Sequence, residues 1–341
     1  MNLYNNTTYK LSNLIPIKSL RRKLRAHIAY KIEHPKVSKY LNENYIQPFL
    51  KGEIAPFIFK KKQDFKDDKI IWQLWFQGEE NASDMIRQCF KSVQRQMGDE
   101  YKIIILNEEN IKDYLDFPDF VLEKIKQKTF GEKTIVFFSD LLRVSLLATY
   151  GGIWCDASIF LSDKIPLNLR AREFFAFERA RNRPSREKLK RIIKSPYFSY
   201  GYFNWNEDFM VKMLSSFIIA KSNSHFISAL RDILINYWQK EKNIINHYYF
   251  VLHVIFELLK KYGYSNNTYK NMSDIECHLL QFYAKNKFDS KLWQEIQQQS
   301  FLHKLTHFRT IKKDSMIDKI IIKELTKDIF YFLKDFPSIV G

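Results

Sequence analysis

The sequence predicts an α/β protein, a sheet flanked by helices, and two stretches predict it. Residues 69–106 run from an apolar, aromatic segment through a helix-spaced segment to a second apolar one, the strand, helix, strand order of a parallel crossover unit. Residues 136–158 form a mostly apolar helical stretch that is cut by Gly151-Gly152 and passes at once into another strand. At 341 residues the chain can hold one large domain or two modest ones.

Lys69-Ile70-Ile71-Trp72-Gln73-Leu74-Trp75-Phe76 reads as a buried strand that ends at Gly78 and is followed by a polar turn. Asp84 opens a helix with Ile86, Cys89 or Phe90, Val93 and Met97 on one face. Tyr101 to Leu106 is a second strand, closed by Asn107, and Glu108 to Leu115 can begin another helix. Ligands bind such sheets at the carboxyl ends of the strands, which places the candidate site around Gln73 to Gly78 and Asn107. Val136 to Tyr150 is a helix carrying Asp140 and Arg143 three apart, on one face. With only nine glycines in the chain, the adjacent pair that stops this helix is informative, because glycine supplies the positive φ that releases a chain from a helix. The strand Ile153 to Ser158 follows, with Asp156 at its exit, where an ionised carboxylate must be paired, hydrated or bound to a cation. Beyond Leu161, apolar spacings of three and four predict helices over Met210 to Ala220, His225 to Gln239 and Ile244 to Tyr262. His247 and His253 fall six apart on the last of these, on different faces, and read as helix residues with satisfied hydrogen bonds.

Hydrophobic residues make up 45% of the chain and aromatic ones 16%, which excludes a disordered polypeptide. The three cysteines, Cys89, Cys155 and Cys277, lie too far apart for a CxxC metal pair and are odd in number, so a reducing compartment fits best. The formal charge is +17, which calls for an anionic partner unless drift in composition explains it. Nine Lys or Arg fall between Lys10 and Lys39 against one acid, Glu33, and Leu20, Leu24, Ile28 and Ile32 recur there every four residues. Such a stripe suits an anionic membrane surface, and it equally suits a packed helix with a solvated charged face. A second basic cluster runs from Arg170 to Lys194. No stretch approaches the ~20 apolar residues that cross a bilayer. The N-terminus lacks a charged region followed by an apolar one, so residence in the cytoplasm is expected. The aromatics sit at core spacings and no nucleic-acid-binding signature is present, so no nucleic-acid partner is expected.

The ordered set Ile71-Trp72-Gln73-Leu74-Trp75-Phe76-Gln77-Gly78, Ser139-Asp140-Leu141-Leu142-Arg143 and Tyr150-Gly151-Gly152-Ile153-Trp154-Cys155-Asp156-Ala157-Ser158 resembles the capsular polysaccharide synthesis proteins, relatives of sugar transferases that carry a DXD motif. The resemblance runs from about Pro56 to Pro166, with a weaker echo at His303-Lys304-Leu305-Thr306. It implies a GT-A-like nucleotide-binding sheet that takes a nucleotide-activated sugar and passes the sugar to a saccharide acceptor. The chain is then expected to divide into a basic helical segment (1–55), the transferase domain (56–310) and a C-terminal helical extension (311–341).

On this resemblance Gln73, Trp75 and Asn107 hold the base, Asp140 contacts ribose or the donor sugar, and Arg143 fixes that carboxylate or reaches a sugar hydroxyl. Ser139, Gly152 and His303 complete the substrate-binding candidates. The competing reading of Asp140 and Arg143 is an intrahelical ion pair, which contributes only ~0.3–0.5 kcal/mol when exposed. Related enzymes bind a divalent cation with a second acid, where this chain has Ser158. Either Asp156 and Ser158 still hold Mg²⁺ or Mn²⁺ with water and phosphate oxygens, or Lys304 supplies the positive charge for the leaving diphosphate. Asp156 and Lys304 are therefore the catalytic candidates. The resemblance further implies retention at the anomeric carbon, with a UDP-sugar favoured as donor and a lipid-linked acceptor at the inner membrane face as partner. An inactive, transferase-like scaffold at a membrane assembly complex is the alternative that Ser158 raises.

Overall fold

The computed structural model describes residues 12–17, 20–21, 24–25, 28, 31, 34–65, 68–243, 250–264, 272–306 and 311–322. Its strands are β1 (Ile70–Leu74), β2 (Lys102–Leu106), β3 (Gly152–Cys155), β4 (Ile159–Leu161), β5 (Phe174–Glu178), β6 (Met213–Ala220) and β7 (Leu302–Lys304). Helices longer than five residues are α1 (His34–Leu41), α2 (Asp84–Met97), α3 (Asp119–Lys126), α4 (Thr134–Tyr150), α5 (Arg186–Ile192), α6 (His225–Lys240), α7 (Val251–Lys261) and α8 (Ser290–Gln299).

Five strands form one sheet in the order β2-β1-β3-β6-β5, and β4 pairs with β7 in a separate two-stranded ribbon. β1 runs parallel to β2 and to β3, as the crossover order requires, while β6 runs antiparallel to both β3 and β5. Helices cover both faces. Trp72, Leu146, Tyr150, Ile233 and Phe256 share a core on the α4 and α6 side, and Ile71, Val93, Met97 and Ile153 share one on the α2 side. The expected α/β class is therefore the observed one.

Two expected helices are not helices. Met210 to Ala220 contains β6, which is buried along nearly its whole length between two strands. A central strand covered on both faces loses the polar alternation of an exposed one, and the apolar residues of β6, broken only by Ser215 and Ser216, imitate the spacing of a buried helix. Glu108 to Leu115 is a turn followed by a single 3-10 turn at Ile111–Asp113. The Asn107 side-chain oxygen accepts from the backbone N–H groups of Glu109 and Asn110, and Asn110 returns a bond to the N–H of Asn107, which ties the chain into that turn.

Several expectations fall on residues outside those described: Lys10, Lys18, Arg22, Lys23, Ile32 and Glu33 of the basic stripe, His247 with the start of its helix, and positions 323–341 of the C-terminal extension. The described part of that extension contributes Met316, Ile317, Ile320 and Ile321 to a core shared with Ile86 and Cys89 of α2. All three cysteines are buried and free. Among the described residues no helix is long and apolar enough to cross a membrane.

Candidate functional site

β1 and β3 are parallel, so their carboxyl ends meet at one edge of the sheet, where β6 enters and the first half of α4 lies over them. A cleft of about 280 Å³ opens there, lined by Trp75 and Gln77 after β1, Ser139 and Arg143 of α4, and Asp156 and Ser158 after β3. Asp156 is the first residue beyond the strand, and its backbone N–H still donates to the Ser216 carbonyl of β6 at 2.9 Å. The Ile159 N–H donates back to the Asp156 carbonyl at 2.9 Å, so residues 156–159 form a tight turn between β3 and β4. This turn holds the side chains of Asp156 and Ser158 at the cleft.

Two cations flank Asp156. Arg143 Nη2 lies 3.7 Å from Oδ1 and Lys304 Nζ lies 3.6 Å from Oδ2, while the Trp154 indole N–H donates to Oδ1 at 2.7 Å. Burial alone would raise the Asp156 carboxyl, but Arg143, Lys304 and the hydrogen bonds from Trp154 and Ser216 hold it below its ordinary value, so it is ionised. Arg143 is itself fixed on all sides. It donates to the Ser139 carbonyl at 3.1 Å, to Ser139 Oγ at 2.9 Å and to the Ser215 carbonyl at 2.7 Å, and its Nη2 lies 3.3 Å from Asp140. Its guanidinium carbon sits 5.1 Å from the centre of the Trp154 ring. Asp140 behaves differently from Asp156: burial pushes its carboxyl up to about 6, with Arg143 opposing and Asp156 adding to the rise.

Lys304 arrives from β7, whose pairing sets it opposite Ile159. The Leu305 N–H donates to the Ser158 carbonyl at 2.9 Å, and Lys304 Nζ donates to Ser158 Oγ at 2.5 Å. A pair of fixed cations beside an ionised carboxylate and a hydroxyl can hold an anionic group while accepting from hydroxyls.

Of the residues singled out in the sequence, Trp75, Ser139, Arg143, Asp156, Ser158 and Lys304 gather at the cleft, with Asp140 behind Arg143. Four do not. Gln73 is fully buried on the α2 face beside Ile71, one strand position out of phase with Trp72, and neither of its amide atoms has a hydrogen-bond partner among the described residues. Asn107 is committed to its turn. Gly152 is a packing requirement, because at φ +96° a Cβ would lie 2.4 Å from the Ile70 carbonyl oxygen. His303 alternates with Lys304 along β7 and so faces away; it is fully buried against Ser162 Oγ at 2.8 Å, and burial holds its imidazole neutral, pushed down to about 3.

Sequence reasoning missed Trp154 and the β6 carbonyls. Trp154 was findable, since residues two apart on a strand share a face and Asp156 was already a candidate. Ser215 and Ser216 were hidden by the helical reading of β6. His253 on α7 also departs from expectation: its Nδ1 is buried with no hydrogen-bond partner among the described residues, and burial, then Arg143, push it down to about 3.

A divalent cation does not fit the Asp156 and Ser158 donor set as it stands. One carboxylate oxygen accepts from Trp154, the Ser158 hydroxyl accepts from Lys304, and the ammonium lies between the two ligands. Among the described residues no three His, Cys, Asp or Glu side chains gather in a way that could hold a metal ion.

Comparison with known proteins matches residues 22–321 to a family model described as "Capsular polysaccharide synthesis protein". "O-glycosyltransferase braB" of Annulohypoxylon truncatum is 26% identical over 198 residues, covering 56% of this chain and 42% of that protein. The chain thus matches less than half the length of this curated relative. Among solved structures, "PaToxG Glycosyltransferase" is similar at 15% identity and a TM-score of 0.35, over 70% of this chain and 80% of that one.

Proposed function

The chain belongs to the capsular polysaccharide synthesis protein family, and from that premise we propose that it is a GT-A-type glycosyltransferase moving a sugar from a nucleoside-diphosphate donor to a saccharide acceptor in the synthesis of a capsular or other cell-surface polysaccharide. The observation that carries this reading is the ionised Asp156 held between Arg143 and Lys304 at the carboxyl ends of two parallel strands. The donor is a UDP-sugar, with Trp75 at the cleft as the platform for its base and Arg143 and Lys304 facing its diphosphate.

In the reaction the bond between the anomeric carbon and the diphosphate oxygen breaks, and its electron pair leaves on that oxygen. The acceptor hydroxyl oxygen forms the new bond to the anomeric carbon, on the face the diphosphate left, and its proton passes to the departing diphosphate. Configuration is retained. Negative charge grows on the leaving group as the bond breaks, so fixed cations that hold it more tightly in the transition state than in the ground state accelerate the step. The acceptor is a lipid-linked saccharide presented at the inner membrane face, a reading supported by the basic residues between Lys10 and Lys39.

Calorimetric titration with UDP, GDP, CDP and CMP tests the reading. Binding is expected and strongest for UDP; silence across all four sinks it. Hydrolysis or transfer from the matching nucleotide sugar separates an active enzyme from an inactive scaffold, since the scaffold produces neither.

A further inference from the structure

We propose that the Lys304 ammonium takes the place of a divalent cation in this cleft, so that the nucleoside diphosphate is bound without a metal ion. The inference rests on the transferase reading above and concerns the charge that meets the diphosphate.

Three observations carry it. The ammonium lies between the two candidate cation ligands, 2.5 Å from Ser158 Oγ and 3.6 Å from Asp156 Oδ2. It is placed there by backbone structure, because Lys304 is the last residue of β7, registered on Ile159, with Leu305 bonded to the Ser158 carbonyl. A tethered charge held by a strand needs no reorganisation when the diphosphate arrives, which is the condition for effective electrostatic stabilisation. The third observation is charge balance. Two carboxylates around a divalent ion sum to zero; one carboxylate, one hydroxyl and one ammonium also sum to zero. With one carboxylate and one hydroxyl at this turn, the ammonium brings the local charge to zero without a metal ion. A metal ion entering the same turn would face the ammonium at contact distance and find only one anionic ligand, with the hydroxyl already accepting from Lys304.

The test uses UDP as probe, with excess chelator or with Mn²⁺, read by calorimetry, and Mn²⁺ binding read by electron paramagnetic resonance. For the unaltered protein the UDP dissociation constant is expected to agree within about twofold between chelator and Mn²⁺. Lys304→Met should weaken UDP binding in chelator by about tenfold or more, and Lys304→Arg should retain metal-free binding. Pairing Lys304→Met with Ser158→Asp should recover UDP binding only when Mn²⁺ is present, with a Mn²⁺ signal that the unaltered protein lacks. Thermal melting of each variant is the control for folding: a Tm within a few degrees of that of the unaltered protein assigns a loss of UDP binding to the cleft. If the unaltered protein binds UDP only with Mn²⁺, the inference is overturned and the transferase reading stands. If no nucleotide binds under either condition, both fall.

Discussion

Asp140, buried, and Asp156, partly exposed at the cleft, share one arginine, and they carry opposite shifts. Asp140 is pushed up to about 6 by burial, whereas an unfolded aspartate titrates near 3.8. The native state therefore keeps a proton that the unfolded chain releases, and its contribution to stability is whole below about pH 4 and gone above about pH 6. Across that window the loss amounts to at most about 3 kcal/mol. Asp140→Asn should flatten this part of the profile of Tm against pH, measured by calorimetry between pH 4 and 7; a variant as steep as the parent excludes Asp140 as the cause. Asp156→Asn keeps an oxygen for the Trp154 indole and removes the charge, so transfer should fall by about 10²–10³-fold with little change in Tm. Near-normal turnover in that variant removes Asp156 from the site. Both residues were legible in the sequence for local reasons, one at a strand exit and one three positions from an arginine on a helix. Gln73, Asn107 and His303 were misplaced because the direction of a side chain on a strand or in a turn depends on which face the rest of the molecule covers.

At the scale of elements, the seam between β1 and β3 depends on Gly152, where there is no room for a Cβ beside the Ile70 carbonyl. Gly152→Ala should cost about 3 kcal/mol or more, read from urea unfolding, and a loss below half that value would mean the seam opens easily. At the β5 edge of the sheet, Arg179 grips both oxygens of Asp274 at 2.6 and 2.5 Å, with both side chains fully buried, and donates to the Tyr202 carbonyl at 2.9 Å. This clip fastens the aromatic segment around Tyr202 and Phe203 to the helical layer. Asp274→Asn leaves a buried arginine without its counter-charge and should destabilise the fold by about 3–5 kcal/mol. Periodicity gave the crossover unit and the α4 helix correctly, since each carries caps or glycines that punctuate it. It could not give β6, whose two-sided burial erases the alternation by which strands are read, nor β5, four apolar residues and a glutamate that carry no period of their own.

Over the whole molecule, positive charge is in excess by 17, and nine of the basic residues crowd between positions 10 and 39. Co-sedimentation with vesicles containing anionic lipid should exceed that with neutral vesicles and decline as salt rises from 50 to 300 mM, conditions chosen to bring the screening length from roughly 14 to about 6 Å. Equal partitioning to both kinds of vesicle leaves the charge without a membrane role. The ribbon of β4 and β7 has a different kind of consequence, one of timing. Lys304 and its partner Ser158 are 146 residues apart in the chain. A ribosome adding about 5–20 residues per second needs on the order of ten seconds to make that stretch. During this interval a nascent chain already owns Asp156, Arg143 and the parallel strands, yet has no ammonium at the turn. A polypeptide interrupted between Ser158 and Lys304 has Arg143 but lacks the second cation that faces the diphosphate, so competence waits on a lysine made 146 residues after the serine it bonds.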